Sequence, residues 1–299
     1  MRRLLPLFTL LTLLSACDEA DPADASAASV AAALPAEPCN GRVELCGLRF
    51  DQVAYATSHN AMSNRAARWV APNQEAGITA QLELGVRALM LDSYDFNGKS
   101  MLCHGACSLG RQPLVDGLGE IKSFLDAHPR EVVSIIFESY LSAEKTAVAF
   151  DEAGLMPMLY SQPVGQPFAT LGELVEANTR LFVVTDSGGG SYPWYHDVWA
   201  LSWETDFSNA TMEDFSCAPN RGRQGNPLFI LNRFLTSPVA YRDLAVQANA
   251  GPSFLNFAEQ CWDEGGQIPN FVTVDFVDEG ALFDVVDALN ARAIVEARN

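Results

Sequence analysis

The chain has 299 residues, with 37 acidic against 19 basic side chains and a formal net charge of −18. That balance argues against nucleic acid as a partner, and against free diffusion onto anionic membranes as the means of targeting. With 48% hydrophobic residues the chain can build the core of one large domain, of the size that α/β barrels reach.

Arg2 and Arg3 precede an apolar run over 4–14 that is too short to remain as a membrane-spanning helix. The run ends Leu14-Ser15-Ala16-Cys17, which is similar to the lipobox of bacterial lipoproteins. Residues 1–16 are therefore expected to be a lipoprotein signal peptide and Cys17 to be acylated. The protein would then be exported and anchored to a bacterial membrane, periplasmic or at the cell surface. A plain secretory peptide with an incidental cysteine is the alternative. Residues 17–38, rich in Ala, Asp, Pro and Ser, read as a disordered tether, and 39–299 as the folded domain.

Beyond Cys17 the cysteines stand at 39, 46, 103, 107, 217 and 261. An even number in an exported chain suggests disulfides, and proximity favours Cys39 with Cys46 and Cys103 with Cys107, leaving Cys217 with Cys261. Thiolate metal binding is the weaker alternative, because no Cys-x-x-Cys pair occurs.

After Cys46 the chain alternates strand and helix. A strand is expected over 52–58, ending at His59-Asn60, then a helix over 77–84 and a buried strand over 86–92 that stops on an acid. By strand parity Val86, Ala88, Met90 and Asp92 share one face, while Arg87, Leu89 and Leu91 take the other. Asn97-Gly98 turns the chain back towards Leu102, and His104 follows between Cys103 and Cys107. A helix over 114–127 ends before Pro129, and a buried strand over 132–138 again ends on an acid. Further strands are expected at 181–185, 228–231 and 271–276, with helices at 143–153, 170–177, 239–248 and 280–290. Residues 186–227, Gly-rich and aromatic, read either as a wall over the site or as a surface excursion held by Cys217.

Parallel strands with helical crossovers allow a barrel or a doubly wound sheet. Asn60, Asp92, Glu138 and Asp275 each fall at or just past the end of a different apolar strand, which favours the barrel, whose sites sit on that face. Each of the four, taken alone, is as readily a helix cap or turn former.

TSHNAMS at 57–63, GVRALMLDSYDFNGKSMLCHG at 85–105, VVSIIFESY at 132–140 and PNFVTVDF at 269–276 together resemble the X domain of phosphatidylinositol-specific phospholipase C. The resemblance spans roughly 39–290 and is closest to the X-domain-only secreted or anchored type. It implies a single-domain distorted TIM barrel. It also implies that His59 and His104 are the catalytic imidazoles, with Asp275 orienting one of them, and that Asn60, Asp92 and Glu138 are calcium ligands. Met90 departs from the family pattern, since metal-dependent relatives carry another acid there, so calcium use is open.

The expected reaction is phosphodiester cleavage of a phosphatidylinositol-like lipid by paired histidine acid and base catalysis, through a cyclic phosphate. The expected partners are a phospholipid substrate and a membrane reached through the lipid anchor, with no nucleic acid, and the protein is expected to be a monomer. Two alternatives stay open. One is another phosphodiesterase on the same barrel, of the glycerophosphodiester or sphingomyelinase D-like kind, which would carry an acid at position 90. The other is a non-catalytic lipid or glycan binder. His128, before Pro129, and His196, in an aromatic stretch, are read as structural.

Overall fold

The computed structural model describes residues 37–298. The expected signal peptide, the acylated Cys17 and the tether as far as residue 36 lie outside the described residues. Among the described residues no helix is long and apolar enough to cross a membrane.

Eleven strands make one sheet: β1 (Tyr55–Ser58), β2 (Ala88–Phe96), β3 (Lys99–Cys103), β4 (Arg111–Pro113), β5 (Val133–Tyr140), β6 (Leu181–Thr185), β7 (Tyr195–Asp197), β8 (Ser202–Thr205), β9 (Pro219–Gly222), β10 (Leu228–Asn232) and β11 (Phe271–Val274). The order is β7-β6-β5-β2-β1-β11-β10-β8-β9, and every neighbouring pair from β7 to β8 is parallel. These parallel strands follow one another round a circle in chain order, as in a TIM barrel. The circle is open in one place, because no ladder among the described residues joins β7 to β8. The helix α5 (Val198–Leu201) makes that connection instead. The fold is thus a distorted, incompletely closed barrel in a single domain, as expected.

Six of the helices fall where the apolar spacing places them. α1 (Ile78–Leu84) and α2 (Leu114–Ala127) pack side by side, and α2 buries Leu114, Leu118, Ile121, Phe124 and Leu125 along one stripe. α3 (Ala143–Glu152) starts on Ser142, whose hydroxyl accepts from Lys145 N–H, and α4 (Leu171–Glu176) on a Thr170–Glu173 capping box. α6 (Arg242–Ala248) falls where a helix was expected, and α8 (Leu282–Glu296) runs six residues past its expected end at 290.

The stretch 186–227, read as a wall over the site or a surface excursion, holds elements that were not expected there, β7, α5, β8 and β9, and its Trp199, Glu204, Phe207 and Arg221 line a cavity at the barrel mouth. Its strands are three or four residues each, and β8 reads Ser-Trp-Glu-Thr with every side chain buried, too short and too polar to signal a strand. α7 (Gly251–Gly265) was not expected at all. Its signals are nonetheless present: Pro252 in the first turn, buried Phe254, Ala258, Cys261 and Trp262 at helical spacing, and Gly266 in the left-handed conformation at its end.

The N-terminal end of the barrel is plugged by aromatic rings. Phe50 meets Tyr55 and Phe182, both at 4.8 Å, and Phe271 at 6.3 Å between ring centroids. With that end filled, the interior of the barrel opens towards the C-terminal ends of the strands, where His59, Asn60, Asp92 and Glu138 line a cavity. The expected disulfides are all present, Cys39–Cys46, Cys103–Cys107 and Cys217–Cys261, a chemistry suited to an oxidising, exported compartment.

Cys217–Cys261 closes a span of 44 residues, tying the segment between β8 and β9 to α7. Loop-closure entropy assigns such a cross-link about 4 kcal/mol. Replacing both cysteines by serine should lower the unfolding free energy by about that amount or somewhat less, read from denaturant unfolding followed by circular dichroism.

Candidate active site

β1 ends at Ser58, and the next two residues leave the barrel under tight backbone control. His59 N–H donates to the Val274 carbonyl at 3.0 Å, and the His59 carbonyl accepts from Gln74 Nε2 at 2.8 Å. Asn60 takes a left-handed conformation (φ 46°), which Asn tolerates better than most residues, and Ala61 N–H then bonds the Met90 carbonyl. The turn is thereby fixed to β11 on one side and β2 on the other. Ser58 points away, its hydroxyl donating to Gln81 Oε1.

His59 Nδ1 lies 2.9 Å from Asp275 Oδ1, and that oxygen also accepts from Asn73 Nδ2 at 3.0 Å. Asp275 is 3% exposed, and its Oδ2 is buried with no partner among the described residues. A carboxylate can only accept, so His59 carries its proton on Nδ1 and presents a lone pair at Nε2. Phe234 stacks flat on the imidazole, with centroids 3.8 Å apart. The ring can neither tilt nor rotate without losing that face.

The Asn60 carboxamide bridges the two imidazoles: Nδ2 stands 3.0 Å from His59 Nε2 and 3.4 Å from His104 Nε2. Its Oδ1 makes no hydrogen bond among the described residues. His104 reaches this place because β3 ends at Cys103 and the Cys103–Cys107 disulfide closes the turn behind it. Its edge opens to the cleft. Even so, the surrounding protein, and then the neighbouring His59, depress its pKa below the ordinary histidine value.

The acids come from the next strands. The β2–β5 ladder sets Asp92 directly beside Glu138, so both carboxylates reach the same rim. Asp92 is 6% exposed and makes no hydrogen bond or ion pair among the described residues. Burial first, then Glu138 and Asp186, push its pKa well above the usual carboxylate range. Glu138 is turned outward and accepts from the Tyr140 hydroxyl. Met90 shares the inward row with Asp92, as parity required, and offers a thioether in place of an oxygen.

These groups line two connected spaces. The inner cavity, of about 120 Å³, is bounded by His59, Asn60, Asp92 and Glu138, and also by Asp186, Glu204, Arg221 and Asn232. The outer cleft, of about 560 Å³, adds His104, Tyr94 and Tyr140. The four extra residues of the inner cavity were missed in the sequence. Asp186 and Asn232 close the apolar runs of β6 and β10 just as Asp92 and Glu138 close the apolar runs within β2 and β5, so the same signal would have found them. Glu204 was hidden in the short strand β8, where it accepts from Asn232 Nδ2 at 3.1 Å and pairs with Arg221.

Arg221 lies over Trp199 and Phe207, 4.6 and 4.4 Å from their centroids, and walls the cavity. It can do so because Gly222 (φ 75°) lets β9 close on β8, where a Cβ would stand 2.2 Å from the Ser202 carbonyl oxygen. Asn60 Oδ1, Asp92 and Glu138 are oxygen donors of the kind that suits a hard cation, and the carboxylates of Asp186 and Glu204 line the same cavity.

Asp92 is protonated more readily in the folded protein than in the unfolded chain. Stability from this group is therefore full at low pH and lost as pH rises through its raised pKa. Asp92→Asn should raise the melting temperature of chelator-treated protein at neutral pH, with the gain shrinking towards pH ~4, where an ordinary Asp is itself half protonated. Calorimetry at the two pH values checks it.

Residues 45–290 match the family described as PI-PLC X 1. A PI-PLC X domain-containing protein of Arabidopsis thaliana is 34% identical over 277 residues, 82% of this chain and 63% of its own length. An uncharacterized secreted protein of Arthroderma benhamiae is 25% identical over 285 residues, 85% of this chain and 64% of its own. The chain thus spans a little under two thirds of the length of these two relatives. A phosphatidylinositol-specific phospholipase C of Staphylococcus aureus superposes with a TM-score of 0.58, over 81% of this chain and 94% of that one, at 13% identity. That likeness is one of fold.

Proposed function

This chain belongs to the PI-PLC X domain family, and we propose that it cleaves phosphatidylinositol-like lipids by a phospholipase C reaction through a cyclic phosphate. The observation that carries this reading is the pair of imidazoles held across one carboxamide, one of them backed by a buried carboxylate.

A hydroxyl vicinal to the phosphodiester gives its proton to His59 Nε2 while its oxygen attacks phosphorus. The bond from phosphorus to the lipid oxygen breaks, and protonated His104 gives its proton to that departing oxygen. The depressed pKa of His104 makes its imidazolium a readier proton donor than that of an ordinary histidine. Asp275 stabilises the positive charge that forms on His59 and holds its tautomer. No protein nucleophile is needed: Ser58 is committed to Gln81, and intramolecular attack gains effective molarities of up to roughly 10⁵–10⁸ M. Water can then open the cyclic ester with the two histidines in exchanged roles.

Asn60 Oδ1, Asp92 and Glu138 would hold a calcium ion, which when bound offsets charge on the phosphoryl oxygens. The outer cleft is rimmed by Tyr140, 57% exposed, and Phe207, 40% exposed, an apolar edge that suits the lipid part of the substrate. Anchoring through an acylated Cys17 belongs to the same reading and would keep the domain where its lipid is.

His59→Ala and His104→Ala should each lower turnover by ~10²–10⁴ in protein that still unfolds cooperatively. Near-normal activity in either folded variant would remove the two-histidine mechanism. Asp275→Asn should lower kcat more than it changes KM, because it disturbs a tautomer and touches no substrate.

The reaction class is decided by phosphorus NMR at early times, where a five-membered cyclic phosphate should precede any monoester. A linear monoester with no cyclic species, or equal turnover of a substrate whose vicinal hydroxyl is methylated, would make this a water-attacking phosphodiesterase.

A further inference from the structure

The row that ends in Asp92 lacks an oxygen one rung deeper, at Met90, and a neighbouring strand supplies one. β5 and β6 run in register with Ile136 beside Val184 and Phe137 beside Thr185, so the next rung sets Asp186 next to Glu138. Asp92 flanks Glu138 on the other side. Three carboxylates from three adjacent strands thus line one cavity. Asp186 is steadied there by the Ser139 backbone N–H, which donates to its Oδ1 at 2.8 Å.

Two further observations point to a ligand for this cluster. Asp92 is 6% exposed, faces the cavity, and has no hydrogen-bonding or ionic partner among the described residues. A buried carboxylate in that state carries an uncompensated desolvation cost that a cation would offset. Asn60, 5% exposed, turns its Nδ2 towards the lone pair of His59 Nε2 and leaves Oδ1 without a bond among the described residues.

We propose that Asp186 completes a divalent-cation site with Asn60, Asp92 and Glu138, standing in for the acid that position 90 lacks. The proposal rests on the phosphodiesterase reading above and assigns the fourth oxygen donor to a residue outside the motifs that suggested the first three. Among the described residues no three such side chains already converge closely enough to hold an ion. The reason is visible at Glu138, which is drawn outward by the Tyr140 hydroxyl. Cation binding exchanges that hydrogen bond for a metal bond, so Tyr140 competes with the ion for Glu138.

The test is calorimetric titration of calcium into chelator-stripped protein at neutral pH, with melting curves to show that each variant is folded. The wild type should bind one ion, and Asp186→Asn should weaken it at least about tenfold by removing an anionic ligand. Adding Met90→Glu to Asp186→Asn should restore most of the loss, which a merely structural role for Asp186 would not allow. Tyr140→Phe should tighten binding by freeing Glu138. Wild-type protein that takes up no calcium, or Asp186→Asn that binds it as well as the wild type, overturns the proposal.

The same samples separate this site from the reaction. Calcium binding that follows these variants, with phosphatidylinositol left intact, retires the proposed reaction and keeps the site. Phosphatidylinositol cleavage that persists under chelation, with no calcium heat, retires the site and keeps the reaction.

Discussion

The ladder between β2 and β5 places Asp92 beside Glu138, and no basic side chain offsets the charge that results at Asp92. Two carboxylates on neighbouring parallel strands cannot avoid one another, because parallel register keeps paired side chains on the same face of the sheet. A domain selected only for stability would put an apolar residue or a lysine at one of these positions. The strain is tolerated because the surrounding structure is over-determined. β2 is hydrogen-bonded along its length between β1, β3 and β5, and the other end of the barrel is filled with packed aromatic rings.

The same economy shows in Asn60. One side chain sets its amide nitrogen between two imidazoles and leaves its oxygen without a hydrogen bond among the described residues. An aspartate there could not donate to either ring at neutral pH, and a leucine could do neither task. The left-handed backbone at this residue aims the carboxamide back over the barrel mouth. Two ladders secure it, through His59 N–H to β11 and Ala61 N–H to β2. His59 is thus set by its backbone, by Asp275 beneath it and by Phe234 across its face. His104 depends on a short disulfide-closed turn, and it is the more open of the two rings. A base that must be aligned and an acid that must meet a departing oxygen are accordingly held with different rigidity.

The wall opposite the histidines is built where the barrel fails to close. Between β7 and β8 a single turn of helix replaces a ladder, and β9 folds back on β8 to lay Arg221 over Trp199 and Phe207. Glu204 and Asn232 stand beneath it, bonded to each other. The opening in the sheet therefore becomes the polar floor and aromatic lip of the cavity. The disulfide from Cys217 to α7 keeps this segment from leaving.

The sequence by itself determined the barrel's main strands, the place of His59 and His104 just past strand ends, and the disulfide pairing; Asp92 and Glu138 close apolar runs as expected, but their strands continue to Phe96 and Tyr140. These are local or nearly local facts, apart from Cys217–Cys261, which was left over once the two short pairs were made. Apolar runs of five to eight residues, an Asn-Gly turn and cysteines close in the chain announce themselves within a window that physical periodicity can read. Only the tertiary structure decided that Asp275, more than two hundred residues from His59, is its hydrogen-bond partner, and that Asn60 lies between the rings. It also decided that Asp186 joins the acids and that Glu204 lines the cavity. The physical reason is that these relations arise from lateral register between strands far apart in the chain. A four-residue strand such as β8 is stabilised by its neighbours on both sides, and its own sequence carries no periodicity long enough to reveal it.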